Sequence, residues 1–159
     1  MRLTCFMLGV MKLECLFAYS YLWAWGFCSI QEYNVHLDKL FSETPDDEIC
    51  LALEGCSNNY KETFAHLKRY FEYEVDSFDS YIFGHALFSG LEAAYKSSVY
   101  TITEFGYRCY QLWKLLPRFL SQEQPFWILS YADDPLSWGD EEQSKALYEK
   151  AFCFYKEKR

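Results

Sequence analysis

The chain is poor in the residues that interrupt regular structure and poor in basic side chains. Its 159 residues include only 7 glycines and 4 prolines, which leaves little material for the many tight turns of a β-rich protein. Lysine and arginine together number 15 against 23 aspartates and glutamates, so the formal net charge is -8. A surface of this charge repels phosphate backbones and anionic lipid headgroups, which argues against direct binding to nucleic acid or to a membrane surface.

The motifs of common catalytic and metal sites are also missing. The chain has no nucleotide-binding loop, G-x-S-x-G elbow, H-E-x-x-H pair or EF-hand spacing. Seven cysteines form no CxxC pair, and three scattered histidines have no ligand spacing, so the sequence predicts neither a metal site nor a cofactor. Because most cysteines lie in apolar stretches, we expect reduced, buried thiols in a reducing cytoplasm. The sequence therefore favours a protein that is not an enzyme.

The N-terminal part is apolar but lacks a long hydrophobic run. Residues 15–29 are uncharged, yet this stretch is shorter than the roughly 20 residues that a bilayer span requires. A buried helix is the preferred interpretation. Met7 and Met11 could each be the true start, which makes residues 1–10 a candidate start-site artefact.

Helical signals recur along the whole chain, and strand signals hardly appear. Residues that suit helix N-termini separate the apolar segments. They are Ser29 with Glu32, Thr44, one of Ser57, Asn58 and Asn59, then Asp79, Thr101 with Glu104, and Asp140. About seven helices follow from these boundaries. The sequence predicts an all-α fold, a single irregular bundle with helix-hairpin connections that spans residues 1–159 as one domain.

Apolar side chains at helical spacing predict which face of each helix is buried. The predicted stripes are Tyr60, Phe64, Leu67 and Phe71 in the fourth helix; Phe83, Leu87, Leu91 and Ala94 in the fifth; Phe105, Cys109, Leu112 and Leu116 in the sixth; and Leu147, Ala151 and Phe154 in the last.

Carboxylates concentrate in three stretches. The first acidic segment, residues 43–48, contains Glu43, Asp46, Asp47 and Glu48; the second, residues 72–79, contains Glu72, Glu74, Asp76 and Asp79; the third, residues 133–142, contains Asp133, Asp134, Asp140, Glu141 and Glu142. Asp140, Glu141 and Glu142 suit the positive end of a helix dipole, which is a purely structural explanation. Asp133 and Asp134 have no such explanation, and Trp138 lies close by. Rings can anchor an interface while carboxylates steer a cationic partner, so we interpret the third segment as a docking surface.

Two catalytic interpretations compete with docking. Asp133 and Asp134 could form a carboxylate pair for glycoside hydrolysis, with Trp127 and Trp138 stacking on sugar rings, although adjacent residues in a loop diverge in direction. Cys109 with His85 could form a nucleophile and base, but a cysteine on an apolar helical stripe is more typical of a core.

The stretch FGYRCYQLWKLLP at residues 105–117, followed by PFWILSYADDPLSWGDEE at residues 125–142, resembles the small cytoplasmic immunity proteins of bacterial contact-dependent growth inhibition and related polymorphic toxin systems. The resemblance covers about the last 60 residues. It implies a protein without catalysis that binds a toxin domain, often a nuclease, and blocks its active site. A nuclease must present basic side chains to phosphates, so an acidic inhibitor can occupy the same surface.

The sequence thus leads to the hypothesis of a cytoplasmic immunity protein that binds a basic toxin domain. The expected toxin-binding residues are Asp133, Asp134, Trp138, Asp140 and Glu141, with Asp46, Asp47 and Glu48 as a second acidic loop. The alternative is a helical peptide-binding or regulatory scaffold, which would bind through an apolar groove and depend little on salt. An enzyme of unrecognised class is a third option, which a deep pocket with two carboxylates would favour.

Overall fold

The computed structural model describes residues 12–73 and 75–157. These residues form nine α-helices and two short 3₁₀ helices, with no β-strand among them. The α-helices are α1 (Leu13–Ala24), α2 (Ile30–Glu43), α3 (Glu48–Gly55), α4 (Tyr60–Tyr73), α5 (Ser80–Ser97), α6 (Ile102–Lys114), α7 (Arg118–Ser121), α8 (Ile128–Tyr131) and α9 (Glu141–Glu157). The 3₁₀ helices are Val75–Ser77 and Asp134–Trp138. The predicted all-α class is confirmed, and the helix count exceeds seven because α7 and α8 are single turns.

Side-chain caps begin several helices at the predicted residues. Ser29 and Glu32 form a complete capping box, in which each side chain accepts a hydrogen bond from the backbone of the other. Asp79, Thr101 and Asp140 each accept a hydrogen bond from the backbone amide three residues further on. Each cap satisfies a donor that the helix itself leaves unpaired, and its loss typically costs about 1 kcal/mol.

The predicted cap at Thr44 is wrong. The Thr44 hydroxyl donates to the carbonyl of Leu40 at 3.0 Å, so it closes the end of α2. Asp47 caps α3 instead, and its Oδ1 accepts from the Ile49 amide at 3.1 Å. The carbonyls at the end of a helix need donors, and a threonine hydroxyl in the next residue is within reach of them.

The chain divides into two compact units, unit one (Met1–Gly90) and unit two (Leu91–Arg159). The boundary falls inside α5. In unit one, α1 packs against α2 and α4, and α3 packs against α2 and α4. In unit two, α8 packs against α6 and α9, and the 3₁₀ helix Asp134–Trp138 packs against α9. The single domain over residues 1–159 concerns cooperative folding and stays a prediction.

The core of unit one centres on Phe17, which is fully buried in α1. The centroid of its ring lies 5.0 Å from those of Tyr21 and Phe71 and 5.4 Å from that of Phe83. Aromatic pairs at such distances contribute about 0.5–1.5 kcal/mol beyond the area they bury. Phe17 thus joins α1, α4 and α5 through one set of ring contacts.

Two of the four predicted apolar stripes are displaced from the buried faces. In α4, Tyr60 is 41% exposed and Thr63 takes its place in the core. In α9, Leu147 and Phe154 are only half-buried. The buried residues of α9 are Ser144, Tyr148, Ala151, Phe152 and Tyr155. The stripes predicted for α5 and α6 are confirmed, since all eight of their residues are buried.

The cysteines differ from the expectation at one position. Cys15 is disulfide-bonded, so the expectation of reduced thiols throughout is wrong there. Among the described residues, the free cysteines are Cys28, Cys50, Cys56, Cys109 and Cys153. Of these, Cys50, Cys56 and Cys109 are buried as small apolar side chains.

Two predictions for the N-terminal part have different outcomes. Within the described chain, no helix is both long enough and apolar enough to span a bilayer. The proposed start-site artefact concerns residues 1–10, which lie outside the described residues.

Candidate functional site

The third acidic segment has a well-defined backbone. Three hydrogen bonds fold it, from the Leu136 amide to the Asp133 carbonyl at 3.1 Å, from Gly139 to Leu136 at 3.2 Å, and from Asp140 to Pro135 at 2.9 Å. Pro135 is buried and anchors the 3₁₀ helix. Gly139 has a φ of 79°, a left-handed conformation that glycine adopts without a steric penalty, and it ends the 3₁₀ helix just before α9.

Most of the predicted binding residues are exposed on this segment. Asp134, Asp140 and Glu141 are exposed, and the indole of Trp138 is 63% exposed. Between Arg118 and Lys145 the sequence contains six carboxylates and no lysine or arginine. The segment therefore presents a large ring among carboxylates, and Lys145, just beyond it, lies 3.7 Å from Glu142.

Asp133 differs from the other predicted residues because it is half-buried against α6. A Cβ atom placed on Gly106 of α6 would lie only 2.8 Å from the Asp133 Cβ. Burial raises the pKa of the Asp133 carboxyl, and the charge of Asp134 raises it further. Asp133 thus supports the packing of the segment, whereas Asp134 is free to meet a partner.

The raised pKa of Asp133 gives a stability prediction. Ionisation disfavours the folded state, so stability falls as pH rises from the unfolded pKa through the higher folded pKa. Asp133→Asn removes this charge and is expected to raise the urea midpoint at about pH 7. At about pH 3, where an ordinary aspartate is largely protonated, the gain should vanish. An equal shift at both pH values, measured by urea titration, would show that packing and not charge is responsible.

Asp140, Glu141 and Glu142 also have the structural role expected of them. Asp140 Oδ1 accepts from the Gln143 amide at 3.0 Å, and Glu141 and Glu142 occupy the first turn of α9. Negative charge there is favourable because the helix N-terminus carries a partial positive charge. The cap uses one oxygen of Asp140, and the side chain remains exposed.

The first acidic segment belongs to unit one, between α2 and α3. Asp46, Asp47 and Glu48 are all exposed, and Asp47 caps α3. The predicted second loop is thus a surface feature of a different compact unit from the third segment. In the second acidic segment Asp79 caps α5, while Glu74 lies outside the described residues.

The competing catalytic interpretations receive little support from the described side chains. Burial, and secondarily Asp133, raises the pKa of the Cys109 thiol well above its usual range, which disfavours the thiolate that a nucleophile needs. His85 belongs to the other unit. Asp133 is half-buried and Asp134 is exposed. The two carboxylates of the suggested catalytic pair therefore lie in different environments, as expected for neighbours in a turn. In the described part of the chain, no group of three or more His, Cys, Asp or Glu residues could hold a metal ion.

The sequence indicated Trp127 as a surface ring, but Leu115 and Phe119, two further exposed apolar side chains of unit two, were not predicted. Leu115 is 43% exposed, Phe119 40% and Trp127 45%. Their positions near Pro117 and Pro125 were a signal, because short helical turns between prolines cannot bury every apolar side chain. Exposed apolar side chains mark a binding surface where they form one contiguous patch.

The site therefore offers an acidic surface with an exposed indole and a folded backbone. No protein-family model, curated protein or solved structure significantly matches this chain.

Proposed function

We propose that this protein is an immunity protein that binds and neutralises a cognate basic toxin domain, a nuclease, through the third acidic segment. The observation that carries the proposal is the stretch between Arg118 and Lys145, which contains six carboxylates and no lysine or arginine. Within it, Asp134, Trp138 and Glu141 are exposed. The resemblance of residues 105–142 to immunity proteins agrees with this assignment.

The carboxylates and the indole of Trp138 have different roles in the proposed complex. The carboxylates attract a cationic surface and speed the encounter, and salt weakens this attraction. The indole of Trp138 can then enter an apolar pocket, where a tryptophan contributes strongly to affinity. The 3₁₀ helix fixes the backbone at Trp138, so little backbone entropy is lost on binding.

Neutralisation follows from the chemistry of nucleases. An enzyme that cleaves a phosphate backbone needs lysine or arginine side chains at its substrate surface. A carboxylate surface docked on those side chains excludes the nucleic acid. Asp46, Asp47 and Glu48 form a second exposed acidic surface that a large toxin domain could also contact.

We place the protein in the cytoplasm, where a nuclease toxin meets its substrate. The free cysteines of the described residues agree with a reducing compartment, whereas the disulfide at Cys15 does not. The assignment to the cytoplasm therefore depends on the toxin hypothesis more than on cysteine chemistry.

Charge reversal of the third segment tests the proposal. In the double variant Asp134→Lys and Glu141→Lys, we expect association with the toxin domain encoded beside this chain to slow by about tenfold at low salt. At about 1 M salt, where the Debye length is about 3 Å, the difference from the unmodified protein should nearly disappear. Association and dissociation rates are measured by surface plasmon resonance at both salt concentrations.

A matched control separates local charge from net charge. Asp38→Lys with Glu62→Lys changes the net charge by the same amount in exposed residues of unit one. Glu62, like Glu141, lies in the first turn of a helix. Equal slowing by both double variants would remove the third segment from the interface, and failure of a folded, active toxin domain to bind would contradict the immunity assignment.

The exposed apolar side chains favour a second candidate, a helical peptide-binding or regulatory scaffold. Leu115, Phe119 and Trp127 could contact the apolar face of a partner helix. Such binding depends on apolar burial, so its rates should change little with salt or with charge reversal of the third segment. The same experiment therefore distinguishes the two candidates.

A further inference from the structure

Unit two contains a cavity of about 370 Å³ at the junction of α5 and α6. The rings of Tyr95, Tyr100 and Phe105 line it, together with Ile102. Cavities of about 300–1,000 Å³ with mainly apolar walls are typical of small-molecule sites. This volume suits a compound with one aromatic ring, and the three side-chain rings offer faces and edges against which it can pack.

The only charged side chains among the lining residues are two lysines, Lys96 and Lys145. This is unusual in a protein of net charge -8. Lys96 lies 3.6 Å from Glu92, but Lys156 lies closer to the same carboxylate oxygen, at 2.6 Å. Glu92 would therefore retain Lys156 as a cationic partner if Lys96 bound an anion in the cavity.

Lys145 is also held loosely. Its ammonium lies 3.7 Å from Glu142, whose side chain is 90% exposed. Exposed pairs of this kind typically contribute at most about 1 kcal/mol. An anion bound in the pocket would therefore displace only a weak, solvent-exposed pair when it contacts Lys145.

The backbone at the cavity favours negative charge as well. Ile102 is the first residue of α6, and the amides of a first helical turn point outward with a partial positive charge. Ser98, another lining residue, has a φ of 57° in the left-handed region, where a residue with a side chain is strained. The guanidinium of Arg108 lies 4.3 Å from the ring centroid of Tyr100, but it is paired with Glu104 at 3.0 Å and adds no net charge beside the cavity.

We infer that this cavity binds a small aromatic anion, an aryl phosphate or aryl carboxylate, whose ring packs among Tyr95, Tyr100 and Phe105 while Lys96 and Lys145 bind the anionic group. The inference is independent of toxin binding. It rests on a partly open pocket with three aromatic rings in its lining, in which both charged lining side chains, Lys96 and Lys145, are cationic.

The test uses 4-fluorophenyl phosphate as the probe and the full-length protein, with ¹⁹F NMR titration as the measurement. Saturable binding is expected. Lys96→Gln combined with Lys145→Gln should weaken it by about tenfold or more, because both charge-assisted contacts are lost. Lys150→Gln is the control, since this exposed lysine of α9 lies outside the lining. Circular dichroism verifies that each variant is folded.

Several outcomes would overturn the inference. They are a lack of saturation by the unmodified protein at millimolar probe, equal affinity in the double-lysine variant, or an equal loss in the Lys150 control. Neutral 4-fluorobenzyl alcohol binding as tightly as the phosphate would refute the anion requirement. Inorganic phosphate competing as well as phenyl phosphate would refute the aromatic requirement.

Discussion

Replacing Phe17 with alanine is expected to lower the free energy of unfolding by about 3–5 kcal/mol, the usual cost of removing a fully buried phenylalanine. Phe17 has no exposed surface, and its ring contacts those of Tyr21, Phe71 and Phe83. The variant loses apolar burial, aromatic pairing and close packing together. Urea titration followed by far-UV circular dichroism measures the change.

Tyr73→Ala is the matched control for this prediction. Tyr73 belongs to the same unit and is also a large aromatic residue, but its side chain is 83% exposed. Surface substitutions usually change stability by less than about 0.5 kcal/mol. Similar losses in the two variants would mean that Phe17 does not hold α1 in a packed core.

The helical class and most helix boundaries could be predicted from the sequence because they depend on local chemistry. A capping side chain acts on an amide three residues away, as at Asp79, Thr101 and Asp140. Apolar spacing then identified the buried faces of α5 and α6. Both signals lie within one helical segment and need no knowledge of the neighbouring helices.

The errors arise where tertiary contacts decide. Tyr148 is fully buried in α9 while Leu147 is only half-buried, although leucine is the more apolar side chain. The Tyr148 ring packs 5.0 Å from that of Phe105, a partner 43 positions away in sequence that no spacing rule identifies. Ser144 is buried as well, on the same face one helical turn earlier. The contact between Tyr148 and Phe105 of α6 accounts for the burial of this face instead of Leu147.

The candidate site could be predicted only in the parts that depend on local sequence. Exposure of Asp134, Trp138 and Asp140 follows from a short turn before a capped helix, which local sequence indicates. The inward position of Asp133 depends on Gly106, which provides room for it on another helix. The two lysines of the cavity, Lys96 and Lys145, lie 49 positions apart and show no joint signal in the sequence.

Gly106→Ala is expected to destabilise the protein by about 1–3 kcal/mol, as overpacking of a tight core usually does. The added Cβ would lie 2.8 Å from the Asp133 Cβ and 3.0 Å from the Tyr148 hydroxyl oxygen. Neither neighbour can yield easily, because one atom is next to the backbone and the other ends a rigid ring. The helical preference for alanine over glycine, about 1 kcal/mol, offsets only part of this cost.

Two further variants connect this loss to the acidic segment. Gly55→Ala in α3 is the control, since a Cβ there meets no heavy atom within 4 Å, and it should be neutral or stabilising by up to about 1 kcal/mol.

Asp133→Gly removes one of the two atoms that a Cβ on Gly106 would approach within about 3 Å, so the loss from Gly106→Ala should be smaller in that background. Urea titrations of the double-mutant cycle measure this coupling. Strictly additive losses would mean that α6 does not support the third acidic segment through Asp133. A favourable coupling would place Gly106 among the residues that hold Trp138 and Asp134 in position for a partner.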